Sequence, residues 1–169
     1  KLAWLFLRVG VMNELQYRAN FFIQLIQSLV AVGTGLFVLS LIFDQTDALG
    51  DWSRPQLLAV LGVFTMVGGI IGFAIEPNMG RIMADVREGT FDYVLTKPVD
   101  AQLLVSVREF RIWKLTDVIV GAAILVWALF TDDRAFQILD GFGFAVSLLL
   151  GSIMVYCVWL LLTTGAFWF

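Results

Sequence analysis

The sequence contains no histidine and a single cysteine, Cys157. The absence of histidine removes the commonest general base and the commonest metal ligand. A single cysteine excludes an intrachain disulfide and a thiolate cluster around a metal. Neither the Gly-Lys-Ser/Thr of a phosphate-binding loop nor the Gly-x-Ser-x-Gly of a serine hydrolase occurs. We therefore expect no catalytic, metal-binding or cofactor-binding residue in this chain, which is not predicted to be an enzyme.

Charged residues are also scarce. They make up 15% of the 169 residues, whereas 60% are hydrophobic. A soluble domain has about 25% charged residues and about 45–50% apolar ones. The mean hydropathy of +0.88 excludes a water-soluble globular domain and a disordered chain. A net charge of −3 argues against a nucleic-acid partner. The composition predicts an all-α, polytopic helical membrane protein.

Long uncharged segments place the membrane spans. A bilayer core requires about 20 apolar residues in a helix. Four segments meet or approach that length, and the third, the shortest, holds Asp117, which we place at the membrane interface. Within a single transmembrane domain over 1–169, the predicted spans are 19–43, 55–75, 115–131 and 141–165. Because the chain ends inside an apolar run, we expect further residues after 169.

The remaining segments are a lead-in and a long loop. Residues 1–18 carry apolar residues at helical spacing among basic ones, which predicts an amphipathic helix in the membrane interface. The alternative is a plain charged lead-in to the first span. Nine of the 11 Lys and Arg residues lie in 1–18 and 76–117, whereas the other two loops are acidic. The positive-inside rule therefore places the N-terminus and the loop 76–114 in the cytoplasm.

Small and polar residues recur on the span faces. Helices in lipid associate where small residues let backbones approach closely. We predict helix packing at Gly62, Gly68, Gly69 and Gly72 of the second span and at Gly143, Ser147 and Gly151 of the fourth. On the first span, Gln24, Gln27 and Ser28 share one side, which lies either against another helix or along a substrate path. Such a path suits an amphipathic or lipid-like molecule better than an ion.

The loop 76–114 combines charges with regularly spaced apolar residues. The second span is predicted to end at Glu76-Pro77-Asn78. A short helix follows, with Gly89 as its stop, and Lys97-Pro98-Val99 makes a break. Asp100 is then placed to cap a helix from Ala101 to about Lys114. From the residues alone, this segment is either a docking element or an ordinary connector at the interface.

Several short motifs spread along the chain carry a family resemblance. They are Tyr17-Arg18-Ala19-Asn20-Phe21, Arg87-Glu88-Gly89-Thr90-Phe91-Asp92, Leu95-Thr96-Lys97-Pro98-Val99, Arg108-Glu109-Phe110 and Ala166-Phe167-Trp168. In this order they resemble the permease subunits of bacterial type-2 ATP-binding-cassette (ABC) exporters. The branch in question has a cytoplasmic REGxxDxxLxKPV signature. Its members typically have six spans, of which this chain would supply four.

The resemblance implies a partner-driven mechanism. Two permease subunits, identical or different, would form the path among membrane lipids in the bacterial inner membrane. Cytoplasmic ABC ATPase subunits would hold the ATP and magnesium. The coupling loop to the ATPase would contain Gly89, Thr90, Phe91, Asp92, Leu95, Lys97 and Pro98. Phe91 and Leu95 would fill an apolar cleft on the ATPase, while Asp92 and Lys97 would make ion pairs at its rim. The alternative function is a non-transporting scaffold or assembly subunit of a larger membrane complex.

Overall fold

The computed structural model describes residues 6, 8, 12, 18–46, 48–131 and 137–168. The predicted interfacial helix at 1–18 therefore lies almost wholly outside the described residues. Four helical stretches within the described chain are long and apolar enough to cross a membrane. The only strands in that part of the chain are two residues long. The predicted all-α fold of a multi-pass membrane protein is confirmed.

The elements follow one another with short connections. The hairpin strands β1 and β2 pair antiparallel, with Ala48 opposite Ser53. The limits of the bilayer along the long helices, and so the predicted spans, stay a prediction. The described elements are α1 (Arg18–Phe43), β1 (Ala48–Leu49), β2 (Trp52–Ser53), α2 (Arg54–Ile70), a π-helical turn (Ile71–Ile75), α3 (Glu76–Arg87), α4 (Asp92–Leu95), α5 (Ala101–Ser106), a 3-10 turn (Ile112–Lys114), α6 (Leu115–Thr131), α7 (Ile138–Thr164) and a second 3-10 turn (Gly165–Phe167).

The second long helix does not end where the sequence predicts. Instead of stopping at Glu76-Pro77-Asn78, the chain stays helical from Arg54 to Arg87. Pro77 lacks the N–H that an α-helix would direct to the carbonyl of Phe73. The backbone N–H of Arg111 donates to that carbonyl instead, at 3.0 Å. The helix therefore tolerates Pro77, because a π-helical turn precedes it and a distant donor satisfies the freed carbonyl.

Glycines set the distance between α2 and α6. A Cβ atom on Gly62 would lie 2.8 Å from the carbonyl oxygen of Gly121, and one on Gly121 would lie 2.6 Å from that of Gly62. A Cβ on Gly69 would lie 2.8 Å from the backbone nitrogen of Val118. Since backbone atoms cannot give way as flexible side chains do, no larger residue fits this crossing. Sequence reasoning selected Gly62 and Gly69 but missed Gly121.

The other predicted packing residues have different surroundings. Gly72 packs against the side chain of Lys114, whereas Gly68 has no described atom within 4 Å of a Cβ position. The same holds for Gly143 and Gly151 on α7, and Ser147 is exposed. A packing role for these three α7 residues stays a prediction, because the helix against which they would pack is not among the described residues.

A buried apolar cluster, here called the loop core, lies where α3, α4 and α5 meet. It joins the long α2–α3 helix to the segment that follows it, and the last turns of α7 pack against its edge. Its buried members are Ile75, Met79, Ile82, Val94, Leu104 and Val105. Burial of these side chains fixes α4 and α5 against α3. The segment that carries the sequence motifs is therefore part of a packed structure.

Candidate functional site

The turn after α3 is built by its sequence motif. Gly89 has a φ of +69°, a conformation that side chains with a Cβ rarely adopt, and it follows the helix as the predicted stop. The backbone N–H groups of Thr90 and Phe91 then both donate to the carbonyl of Asp85, at 2.9 and 3.2 Å. These bonds hold the start of α4 close to α3.

The motif residues face two directions. Phe91 packs edge-on against Phe167 with ring centroids 5.5 Å apart, and Val94 lies in the loop core. Tyr93 and Leu95 point outward, with 73% and 56% of their surface exposed. Of the two residues expected to act together, Phe91 therefore packs inward, whereas Leu95 is exposed. Sequence reasoning did not select Tyr93.

The outward side continues beyond α4. Asp92, Lys97 and Pro98 are exposed, as are the apolar side chains of Val99 and Leu103. No ion pair within the described part of the chain involves Asp92 or Lys97. The surface formed by Tyr93, Leu95, Lys97, Pro98 and Val99 is called the loop surface below. It presents apolar side chains beside charges that are free to pair with another protein.

The helix that Asp100 caps is shorter than predicted. Its carboxylate accepts from the backbone N–H of Leu103 at 2.9 Å, as expected of a cap. The helix then ends at Ser106 instead of continuing to Lys114. Residues 107–111, called the connector below, are not helical. The reason lies in a residue 30 positions earlier.

Asn78 holds the connector in its extended course. This side chain is fully buried, with 0% of its surface exposed. Its Oδ1 accepts from the backbone N–H groups of Arg108 and Glu109, both at 2.9 Å. Its Nδ2 donates to the carbonyls of Glu109, at 2.8 Å, and Ala74, at 2.6 Å. One side chain thus replaces the hydrogen bonds that a helix at 107–111 would have made for itself.

Ion pairs reinforce the same contact. The carboxylate of Asp85 is buried and pairs with Arg108 at 2.6 Å and with Arg81 at 3.1 Å. Further along, Glu76 pairs with Arg111 at 2.9 Å. The exposed Glu76–Arg111 pair contributes little to stability. The buried carboxylate of Asp85, in contrast, would destabilise the fold if it had no partner. The connector is therefore bound to α3 at both ends, in an arrangement called the clamp below.

A cavity of about 320 Å³ lies between α1, α2 and α6. Gln24, Gln27 and Ser28 all line it, so the structure brings these three predicted residues together at one opening. Ser28 donates a hydrogen bond to Oδ1 of Asp117, and Lys114 donates to Oδ2 of Asp117 at 2.8 Å. Asp117 was expected to lie at the membrane interface and not to be buried; only 8% of its surface is exposed, so the second expectation is wrong, whereas its position at the interface stays a prediction. Both carboxylate oxygens have partners that stabilise the buried charge.

Apart from Thr65, the rest of the cavity wall is apolar or aromatic. Val32 and Leu61 form part of it, and the aromatic residues Trp113 and Phe64 also contribute. Within the described residues, no group of His, Cys, Asp and Glu is arranged to hold a metal ion. The cavity therefore offers hydrogen-bonding groups at one side and apolar surface at the other residues of its wall.

Comparison with known proteins bears on both sites. A family model described as "ABC-2 family transporter protein" matches residues 29–169, which is most of the chain. The match includes the loop surface, the clamp and the whole cavity except Gln24, Gln27 and Ser28. Searches of curated proteins and of solved structures found no match.

Proposed function

The chain belongs to the ABC-2 family of transporter proteins, and from that premise we propose that it is the permease subunit of an ATP-driven exporter in the bacterial inner membrane. The family pairs such membrane subunits with ABC ATPase subunits. In our proposal the ATPase supplies ATP and magnesium from the cytoplasm, where the N-terminus and the loop surface also lie. A second permease, identical or different, completes the path. The exported substrate is amphipathic or lipid-like.

The loop surface is the observation that carries this proposal. Tyr93, Leu95 and Val99 are apolar and exposed on a segment whose other side is packed into the loop core. Exposed apolar side chains on a rigid support, beside unpaired charges, are typical of protein-binding surfaces. Asp92 and Lys97 would then set the register of the partner more than its affinity.

The clamp supports a coupling role for this surface. Because the connector is bonded to α3, and α3 continues without a break into α2, a force on α4 and α5 acts on the second span as one rigid body. The α2–α6 crossing extends this body, since its glycines bring the two backbones into contact. Rigid-body rotation of such a unit is a common way to change access across a membrane.

The proposal is tested by co-purification of the full-length protein from detergent-solubilised native membranes. The test variant is Tyr93→Ser/Leu95→Ser, and the matched control is Leu49→Ser/Trp52→Ser, which changes two exposed apolar residues in the hairpin β1–β2. We expect the wild type and the control to recover an ABC ATPase, and the test variant to recover at least tenfold less, as for the loss of an interface hot spot.

Two results would contradict it. If the wild type recovers other membrane proteins in fixed ratio but no ATPase, the chain is a scaffold subunit. If the Tyr93→Ser/Leu95→Ser variant retains the ATPase, coupling takes place elsewhere on the chain. Size-exclusion elution as a single peak confirms that each variant is folded.

A further inference from the structure

We propose that the cavity between α1, α2 and α6 binds the headgroup of a single-tailed zwitterionic amphiphile. Lys114 and Asp117 would contact the opposite charges of that headgroup. The inference rests on the proposed function, which makes amphiphiles the transported class. It adds the place where the substrate binds and the kind of headgroup that is selected.

The charges of the cavity favour a headgroup that carries both signs. Lys114 and Asp117 form one pair at 2.8 Å, so the charged groups lining the cavity sum to zero. A purely anionic headgroup near Lys114 would be repelled by Asp117, and a purely cationic one near Asp117 would be repelled by Lys114. A dipolar headgroup placed antiparallel to the pair gains both attractions, which are stronger away from water.

Both groups retain hydrogen-bonding capacity. An ammonium has three N–H donors, and Lys114 uses one of them in its hydrogen bond to Asp117. A carboxylate has about four lone-pair sites, and in Asp117 the bonds from Ser28 and Lys114 use two of them. The amides of Gln24 and Gln27 add neutral donors and acceptors at the same opening. An anionic phosphate therefore finds donors here, and a cation finds free carboxylate lone pairs.

An aromatic residue fits the cationic half of the headgroup. Phe64 lines the cavity together with Asp117. The ring of Trp113 also lines the cavity, but its face is already covered by Lys114, whose Nζ lies 5.0 Å from the ring centre, so Phe64 is the ring available to a second cation. Aromatic rings near a carboxylate are a recurring way to bind quaternary ammonium groups. This favours a headgroup of the phosphocholine kind.

A groove beside the cavity fits the tail. Phe64, with 76% of its surface exposed, lines both the cavity and a second, almost wholly apolar groove of about 510 Å³. That groove follows α2 from Val67 to Gln56 and continues to Trp52 on β2. From Phe64 to Arg54 the helix covers about 15 Å at 1.5 Å per residue, which suits one extended acyl chain. The polar cavity at one end and the apolar groove at the other match the two parts of an amphiphile.

The test measures binding to the permease alone, without any ATPase. Full-length protein is placed in phosphatidylglycerol nanodiscs and labelled with lysophosphatidylcholine that carries a photoreactive group in its tail. The competitors are unlabelled lysophosphatidylcholine, lysophosphatidylglycerol and monoacylglycerol, all with one tail length. We expect lysophosphatidylcholine to compete at concentrations at least tenfold lower than the other two, with the label in the tail mapping to peptides of α2 or the hairpin β1–β2.

Variants separate the role of the ion pair from simple misfolding. Lys114→Met and Asp117→Asn each remove one charge-assisted contact, which we expect to weaken labelling roughly tenfold to a hundredfold. Arg87→Met is the matched control, because Arg87 is an exposed cation outside the cavity, and it should label as the wild type does. The conservative variant Lys114→Arg keeps the positive charge at the same position and should retain labelling.

The proposal is overturned if the three competitors displace the label equally, or if Lys114→Arg binds no better than Lys114→Met. Loss of binding alone leaves the transporter assignment standing, because the recovery of the ATPase depends on the loop surface. Conversely, a permease that binds the probe but recovers no ATPase would contradict the proposed function only.

Discussion

Substitution of Asn78 by alanine is expected to release the connector from α3. The change removes four hydrogen bonds and leaves the N–H groups of Arg108 and Glu109 without an acceptor. A buried donor without a partner costs about 1–3 kcal/mol. Because Glu109 is exposed and water reaches it, we expect the two together to cost about 2–4 kcal/mol of local stability.

Trypsin reports this release directly, since the connector contains Arg108 and Arg111. In detergent or nanodiscs, the Asn78→Ala variant should be cleaved at these two arginines at least tenfold faster than the wild type. Cleavage after Arg87, at the exposed end of α3, is the internal reference and should not change. Gln102→Ala removes an exposed amide from α5 and is the control substitution. Equal cleavage rates in Asn78→Ala and wild type would refute the role given to the clamp.

Two further predictions concern glycines. Gly121→Leu forces side-chain atoms against the α2 backbone and should strongly lower the midpoint temperature of thermal unfolding. The control Gly143→Leu, at an open position of α7, should leave that midpoint nearly unchanged. Equal midpoints for the two variants would refute the α2–α6 packing. Gly89→Ala puts a Cβ on a residue with φ +69° and should cost about 1–2 kcal/mol. Gly80→Ala, in the helix α3, should instead stabilise by about 0.5–1 kcal/mol, and a matched pair of denaturation curves checks both signs.

The features that the sequence predicts well are those set by neighbouring residues. The apolar runs predict four membrane-crossing helices, because span length depends on local composition alone. Gly89 as a helix stop and Asp100 as a cap follow from the conformations and hydrogen bonds of single residues. The partial agreement at Gly62 and Gly69 has the same origin, because helical spacing puts both on one face.

The features that the sequence did not predict depend on partners far along the chain. Asn78 next to Pro77 is typical of a helix end, and only the connector, 30 residues later, supplies the groups that keep it inside a helix. The inward direction of Phe91 depends on Phe167 in the same way. The burial of Asp117 was not expected because nothing in its own segment indicates Ser28 as a partner. No periodicity encodes such contacts.

These distant contacts bring the two proposed sites close together. The connector ends at Arg111, which is bonded to Phe73 through its backbone and to Glu76 through its side chain. Lys114 follows three residues later, donates its backbone N–H to the carbonyl of Arg111 at 3.0 Å and packs on Gly72.

Lys114 therefore belongs to the same body as the loop surface, and so does its partner Asp117 at the start of α6. Ser28, in contrast, lies on α1 and meets this body through its bond to Asp117. In the proposed mechanism, a rotation of this body relative to α1 would change the distance between Ser28 and Asp117. The proposed headgroup contacts would then lie at the joint where an ATPase-driven movement opens or closes the cavity.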